Sequence, residues 1–349
     1  MSDKTRVLIA DDSPFVCRLL ASFLHSSPEF EVVATAFDGR QAITKVKALR
    51  PDVITLDLEM PEVDGLEALG RIMSECPTPV VAVSGVSGRA ATRTLQALDL
   101  GAVDFVLKYA PGVNIQPAEL CREILAKVRA ASRIRVIRTI GQAPSPAKSS
   151  DQNTPDSAGG LVVIGASTGG PLALRELLSV LPANFPLAIL VVQHMPPNFT
   201  AVLAAQLDRH CRLRVREAED GDRLEPGKVL VAPSGYHLLV RPAFRVATCS
   251  GNTAGYCPSI DAAMESAARI YGSHALGVLL TGMGDDGAQG LKAIHDHGGV
   301  TFVQDSESCV VDGMPQRARE RKAADHVAAP ARIAQLLIRE AERKVTHAA

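Results

Sequence analysis

The sequence contains no tryptophan, and aromatic residues supply only 4% of its 349 positions. Few flat side chains are therefore available to stack bases, and a formal net charge of −1 gives no field for steering a polyanion. No nucleic-acid partner is expected. No apolar run approaches the roughly 20 residues that span a bilayer, and the opening "MSDKTRVLIADD" lacks the pattern of a signal peptide. Membrane insertion is thus not expected, and a cytoplasmic location is. The seven cysteines (Cys17, Cys76, Cys121, Cys211, Cys249, Cys257 and Cys309) are scattered, odd in number and without a CxxC pair. That pattern fits reduced thiols and gives no ground for a zinc site or a disulfide framework. Neither half of the chain repeats the other.

What is present is an ordinary globular composition, 46% hydrophobic and 21% charged. A chain of 349 residues is long for one core, so two domains are expected. Residues 139–160, "TIGQAPSPAKSSDQNTPDSAGG", are rich in Pro, Ser, Gly and Asp and carry no hydrophobic period. They read as a flexible linker between a domain over 1–138 and another over 161–349. A flexible segment of that length spans roughly 25 Å r.m.s., enough for two domains to touch or part. On both sides, apolar β-branched runs alternate with amphipathic segments. The fold class expected is therefore α/β, with parallel sheets and crossover helices.

Five candidate strands punctuate the first half: "RVLIA", "EVVATA", "DVITLD", "PVVAVSG" and "DFVLK". Polar residues collect at their C-terminal ends, where open α/β sheets place their sites. Asp11 and Asp12 follow the first strand, Asp57 ends the third, Ser84 the fourth and Lys108 the fifth. If these strands are neighbours, three carboxylates meet beside a hydroxyl and an ammonium. Close carboxylates repel one another unless a cation lies among them, and hard oxygen ligands suit Mg²⁺. Such a cation also neutralises an incoming phosphoryl group and leaves one carboxylate to accept it. Asp57 is the natural acceptor, because "TLDLEMPEVDG" sets it at a strand end before a loop containing Pro and Gly. Singly, each aspartate reads better as a helix N-cap or a solvated loop residue; the full set at successive strand ends points to phosphoryl chemistry.

Residues 5 to about 130 resemble a response-regulator receiver domain. The resemblance implies phosphorylation of Asp57 by a chemotaxis histidine kinase, with Mg²⁺ held by Asp11, Asp12, Asp57 and the backbone carbonyl of Glu59. Ser84 and Lys108 would contact the phosphoryl group, and Phe105 matches the family's rotating aromatic. One departure stands out: Tyr109 follows the lysine, in "LKYAPG", where the family has proline. A non-proline cis bond costs about 3 kcal/mol, so a cis peptide after Lys108 is not expected.

The second half opens on "VVIGASTGGPLALREL", residues 162–177. Glycines at such a strand-to-helix turn can cradle a phosphate, or hold a serine in a tight elbow with its hydroxyl exposed. A dinucleotide site needs an acid roughly 20 residues on, ending the next strand. That strand, "PLAILVVQHMPPNF", ends instead in Gln193 and His194. A serine reacts at neutral pH when an adjacent base takes its proton, and the base needs an orienting partner. Ser167 and His194 supply the first two. A third apolar run, "ALGVLLTGMGDDGAQGLKAI", leads into a Gly-rich turn carrying Asp285 and Asp286, either of which could be the third. The chain order Ser…His…Asp differs from the Ser…Asp…His of α/β-hydrolases and disfavours that fold.

"GASTGGP", "VVQHMPPNFT" and "LLTGMGDDGA" together resemble the catalytic domain of the chemotaxis protein-glutamate methylesterases, over residues 160 to about 345. The resemblance implies Ser167 as nucleophile, His194 as general base and Asp286 as orienting acid. It also implies the Met283 amide in the oxyanion hole, and no cofactor in this domain. The fold implied is two doubly wound parallel-sheet domains, a flavodoxin-like receiver followed by a Rossmann-like catalytic domain. The expected activity is a phosphorylation-activated serine hydrolase acting on methyl-accepting chemotaxis receptors. It removes methyl groups from their methylglutamates, releasing methanol, and also deamidates their glutamines. In this reading the unphosphorylated receiver covers the catalytic rim. Two rivals stand beside it: a phosphorylation-controlled binding module with an inactive second half, and a nicotinamide oxidoreductase. Among weaker features, "VLVAPSGYHLLV" reads as a hairpin whose turn presents Tyr236 and His237. "CSGNTAGYCPSIDAAMESAA" reads as a loop entering a helix capped by Ser259 or Asp261. "PARIAQLLIREAERKV" reads as an amphipathic helix packed on the sheet.

Overall fold

A computed structural model describes residues 4–85, 87–108, 117–134, 159–251 and 255–348. Nearly all of the linker expected over 139–160 lies outside these residues, as does Tyr109. The chain divides into two compact units, Met1–Gln142 and Ala143–Ala349.

The first unit alternates strand and helix: β1 (Thr5–Ala10), α1 (Pro14–His25), β2 (Phe30–Ala36), α2 (Gly39–Leu49), β3 (Val53–Asp57), α3 (Gly65–Glu75), β4 (Val80–Ser84), α4 (Gly88–Asp99), β5 (Asp104–Leu107) and α5 (Pro117–Ser132). The strands form one parallel sheet in the order β2-β1-β3-β4-β5. β3 and β4 are buried along their whole length, as continuous apolar runs must be when helices cover both faces. Four helices start on side-chain caps: Ser13, Asp38, Asp64 and Ser87 accept from the amides of Val16, Gln41, Glu67 and Ala90. Each such cap stabilises its helix by about 1 kcal/mol. Because Ser13 caps α1, Asp11 and Asp12 are not needed for that task. The winding direction reverses between β1 and β3, and a crevice opens at the carboxyl ends on either side of such a reversal.

The second unit comprises β6 (Leu161–Ala166), α6 (Gly170–Val180), β7 (Ala188–Gln193), α7 (Phe199–His210), β8 (Arg214–Glu217), β9 (Lys228–Val231), β10 (Tyr236–Arg241), β11 (Arg245–Ser250), α8 (Ile260–Tyr271), β12 (Ala275–Leu279), α9 (Ala288–Asp296), β13 (Val300–Gln304), α10 (Gly313–Glu320), β14 (His326–Ala328) and α11 (Pro330–Ala348). Seven strands form a parallel sheet in the order β14-β13-β12-β6-β7-β9-β8. Every residue of β6, β7 and β12 is buried. Burying each large aliphatic side chain in this core contributes about 1.5–3 kcal/mol. α11 packs on α6 and buries Ile333, Ala334, Leu337 and Ala341.

The hairpin forms one strand later than expected. "VLV" of "VLVAPSGYHLLV" belongs to β9, which is bonded to β7 on one side and β8 on the other and so has no edge left for β10. β10 pairs instead with β11, and the reversal falls at Ala243 and Phe244, both at positive φ (61° and 56°). Tyr236 is exposed at the start of β10, and His237 pairs across to Cys249.

Candidate active site

In the first unit, the sheet order sets the ends of β1 and β3 side by side, and oxygens of Asp11, Asp12 and Asp57 lie within 4.8 Å of one another. Asp11 and Asp57 are buried and Asp12 is exposed. Lys108, beyond β5, reaches across the rim: its Nζ donates to Asp57 Oδ2 at 2.5 Å and lies 3.2 Å from Asp11 Oδ2. That second contact is an ion pair, and by geometry Asp11 Oδ2 is a buried acceptor with no aligned hydrogen-bond donor among the described residues. Burial pushes the Asp57 carboxyl up to about 6, even though Lys108 and the Glu59 amide favour its charge. Buried carboxylates with an orphaned oxygen are what a small divalent cation would relieve, and the donor set fits Mg²⁺. Ser84, one residue beyond the Asp57–Val83 pair, receives a hydrogen bond from Thr94 Oγ1 at 2.5 Å. Phe105 is buried, with Lys127 Nζ 5.1 Å from its ring centre.

In the second unit, winding starts at β6, runs out through β7, and returns on the other side as β12. The order β12-β6-β7 therefore brings three strand ends to one rim. Ser167 follows β6, and its amide donates to Thr281 O (3.0 Å) beyond β12. The elbow needs glycine at position 169: its φ is +75°, and a Cβ there would lie 2.5 Å from Val310 Cβ. His194 follows β7, and its amide donates to Ala166 O at 3.0 Å. Gln193 turns back beneath both residues, its Nε2 donating to Ser167 O at 2.8 Å and to His194 O at 3.0 Å.

The imidazole meets a carboxylate directly: His194 Nε2 is 2.8 Å from Asp286 Oδ2. Asp286 is 6% exposed and also accepts from Ile260 N, Asp261 N and Ser259 Oγ, at 2.8, 2.9 and 3.1 Å. Burial opposes its charge, but the His194 hydrogen bond and the amides of Asp261 and Ile260 outweigh burial and hold the carboxyl below its ordinary value. Asp285, its neighbour, is exposed and lines an open cleft of about 630 Å³ with Gln316, Arg317 and Glu320 of α10 and Arg321 just after it. With Nε2 bonded to an ionised acid, the lone pair falls on Nδ1, which is buried and makes no hydrogen bond to a described residue. The Ser167 hydroxyl makes no hydrogen bond to a described residue either. Such contacts often tighten only when substrate is bound. Met283 is exposed on the turn after β12, and Gly282 presses against Ser167: a Cβ on Gly282 would lie 2.8 Å from Ser167 Cβ.

Residues 162–337 match the family described as CheB methylesterase, and residues 7–123 match the response regulator receiver domain. The chain is 43% identical to a protein-glutamate methylesterase/protein-glutamine glutaminase of Caldanaerobacter subterraneus, over 97% of each chain. The chain belongs to the CheB methylesterase family. A second relative of the same description, from Pseudomonas aeruginosa, is 42% identical over 97% of each chain. Among solved structures, the CheB methylesterase catalytic domain of Thermotoga maritima matches with a TM-score of 0.50 and 42% identity, covering 52% of this chain and 99% of that one.

Beyond the catalytic residues expected from sequence, the site also contains Tyr256, Ser259 and Asp261. The Tyr256 ring stacks on the His194 ring, with centroids 4.5 Å apart and planes within 3°. Ser259 caps α8, as one of the two sequence expectations had it, and simultaneously donates to Asp286. Asp261 does not cap its own helix; its Oδ1 accepts from Gly287 N and Gly290 N, at 2.8 and 2.6 Å. Burial, with Asp286 nearby, pushes the Asp261 carboxyl up to about 6 against those two hydrogen bonds. The N-cap preference at Ser259 was visible in the sequence; its partner on another loop had no local signal.

Proposed function

We propose that the chain is a phosphorylation-activated protein-glutamate methylesterase that is also a protein-glutamine glutaminase, with chemoreceptors as substrates. The hydrogen bond between His194 and Asp286 behind the Ser167 elbow carries this reading. Ser167 Oγ attacks the γ-carbonyl carbon of a methylated glutamate while His194 Nδ1 takes its proton. Asp286 holds the imidazole in the tautomer that leaves Nδ1 basic and opposes the positive charge it gains. The Met283 amide faces the oxyanion of the tetrahedral intermediate. Collapse breaks the C–O bond, the imidazolium gives its proton to the departing methoxide, and methanol leaves. Water, deprotonated by His194, then cleaves the acyl-enzyme and yields glutamate. A receptor glutamine follows the same path with ammonia as leaving group. An acid is missing at the end of β7, where a nicotinamide fold would bind ribose, and Gln193 and His194 stand there instead.

In the receiver, Asp57 accepts a phosphoryl group from a chemotaxis histidine kinase, with Ser84 and Lys108 against its oxygens. Asp11, Asp12, Asp57 and the Glu59 carbonyl would hold Mg²⁺, which supplies charge neutralisation for that transfer. Phosphorylation shifts the population toward the form in which the catalytic rim is open to receptor.

Methanol release from carboxyl-methylated receptor fragments, measured with and without a small phosphodonor and Mg²⁺, tests both halves. Release should rise with phosphodonor, and Asp57→Asn should abolish that rise. No release from folded protein, on a substrate labile to another methylesterase, would leave a binding module as the reading. A second variant probes the rim itself. Gly282→Ala sets a methyl 2.2 Å from Met314 Sδ as well as against Ser167. It is expected to destabilise the unit by about 1–3 kcal/mol and to lower turnover roughly 10- to 100-fold by displacing the turn. Thermal unfolding and methanol release check the two effects separately.

A further inference from the structure

α8 and α9 satisfy each other's N-termini, each with a carboxylate carried by the other. The first amides of α8, Ile260 N and Asp261 N, donate to Asp286, which lies in the turn before α9. The amides that open α9, Gly287 N and Gly290 N, both donate to Asp261 Oδ1, which lies in the first turn of α8. Gly290 allows this exchange, since a Cβ there would lie 2.7 Å from Met264 Cβ and 2.9 Å from the Asp261 Cα. The turn over 282–287 is therefore tied at both ends. At its start, Gly282 N donates to Val311 O and Gly282 O accepts from Met314 N, each at 2.9 Å. At its finish, the tie is Asp261.

Resting on the function proposed above, we infer that Asp261 is a positioning residue for the hydrolytic step. Its Oδ1 fixes the far end of the turn, and through it the Asp286 carboxylate behind His194 and the Met283 amide that faces the oxyanion. Its bonds go to backbone amides and none to His194 or Ser167. It acts through Asp286 and not on the substrate. Loosening the turn leaves receptor binding in place but spoils the alignment that the transition state requires, so the loss falls on kcat.

The test uses the full chain, at a temperature where circular dichroism shows every variant folded. Asp261→Ala is expected to lower kcat for methanol release by about tenfold or more, with KM changed by less than about twofold. Asp261→Asn keeps an Oδ1 able to accept from both amides and is expected to retain about a third or more of the wild-type kcat. A small serine-directed organophosphonate should label Ser167 more slowly in the alanine variant by a similar factor, with no receptor present. A merely structural residue would lower the melting temperature of Asp261→Ala and leave the kcat of the folded protein unchanged, which overturns the inference. An asparagine variant as impaired as the alanine variant overturns it too, because charge and not the shared acceptor would then matter. If wild type labels with the phosphonate but releases no methanol, and the variants label in the expected order, the positioning role stands and the proposed substrate falls.

Discussion

Replacing Ser167 with alanine is expected to lower methanol release on the order of 10³-fold or more, while leaving the fold and receiver phosphorylation intact. The size of the loss follows from the chemistry: without Oγ there is no acyl-enzyme, and the imidazole can only assist direct attack by water. The stability of the variant follows from the structure. The Ser167 amide donates to Thr281 O, and its carbonyl accepts from Gly170 N and Gln193 Nε2; alanine keeps all three bonds. The hydroxyl itself makes no hydrogen bond to a described residue, so its removal should change unfolding free energy by less than about 0.5 kcal/mol. A folded variant that still responds to phosphodonor with released methanol would remove Ser167 from the mechanism. A folded, phosphorylatable and silent variant is the expected result.

The parts of this architecture that repeat with a fixed period were legible in the sequence. β-branched runs buried on both faces mark strands, and Asp11, Asp57, Ser84 and Lys108 sit where those runs end. The parallel order β2-β1-β3-β4-β5 then sets the ends together, because winding that reverses at β1 allows little else. The same reasoning reads Ser167, His194 and the 285–286 pair as ends of neighbouring strands. The residues alone left Asp285 and Asp286 open and the resemblance favoured Asp286; the physical reason lies in tertiary structure, where the amides of α8 meet a carboxylate turned inward while Asp285 faces an open cleft. The hairpin went one strand astray for a related reason. β9 reads locally as a free strand, and nothing in its own residues says that β7 and β8 take both of its edges. Asp261 was legible only as a cap for its own helix; that it serves α9 depends on two helices meeting at Gly290.

Asp286→Asn should lower kcat on the order of 10³-fold with KM nearly unchanged, and should also destabilise the fold. The two effects have separate origins in one carboxylate. Oδ2 accepts from His194 Nε2 and Ile260 N, and Oδ1 accepts from Ser259 Oγ and Asp261 N. An amide placed with its NH₂ toward Oδ2 would face two donors. Placed toward Oδ1, it can donate to the Ser259 hydroxyl but leaves the Asp261 amide without an acceptor. The second orientation is the better one, and it keeps the histidine tautomer while removing the charge that stabilises the imidazolium. One orphaned amide costs about 1–3 kcal/mol. The pH dependence fixes the assignment. The folded Asp286 carboxyl lies below its ordinary 3.8, so its contribution is fully present above that value and is lost only as the pH falls through the lower folded one. The part of the stability gap between wild type and Asp286→Asn that comes from the Asp286 charge should therefore be lost only below about pH 4. Asp261 titrates in the opposite sense, its folded carboxyl raised to about 6. The kcat comparison therefore belongs above neutral pH, where Asp261 is ionised in both proteins. A folded Asp286→Asn that kept its kcat within about twofold of wild type there would mean that Asp286 is not the charge behind His194.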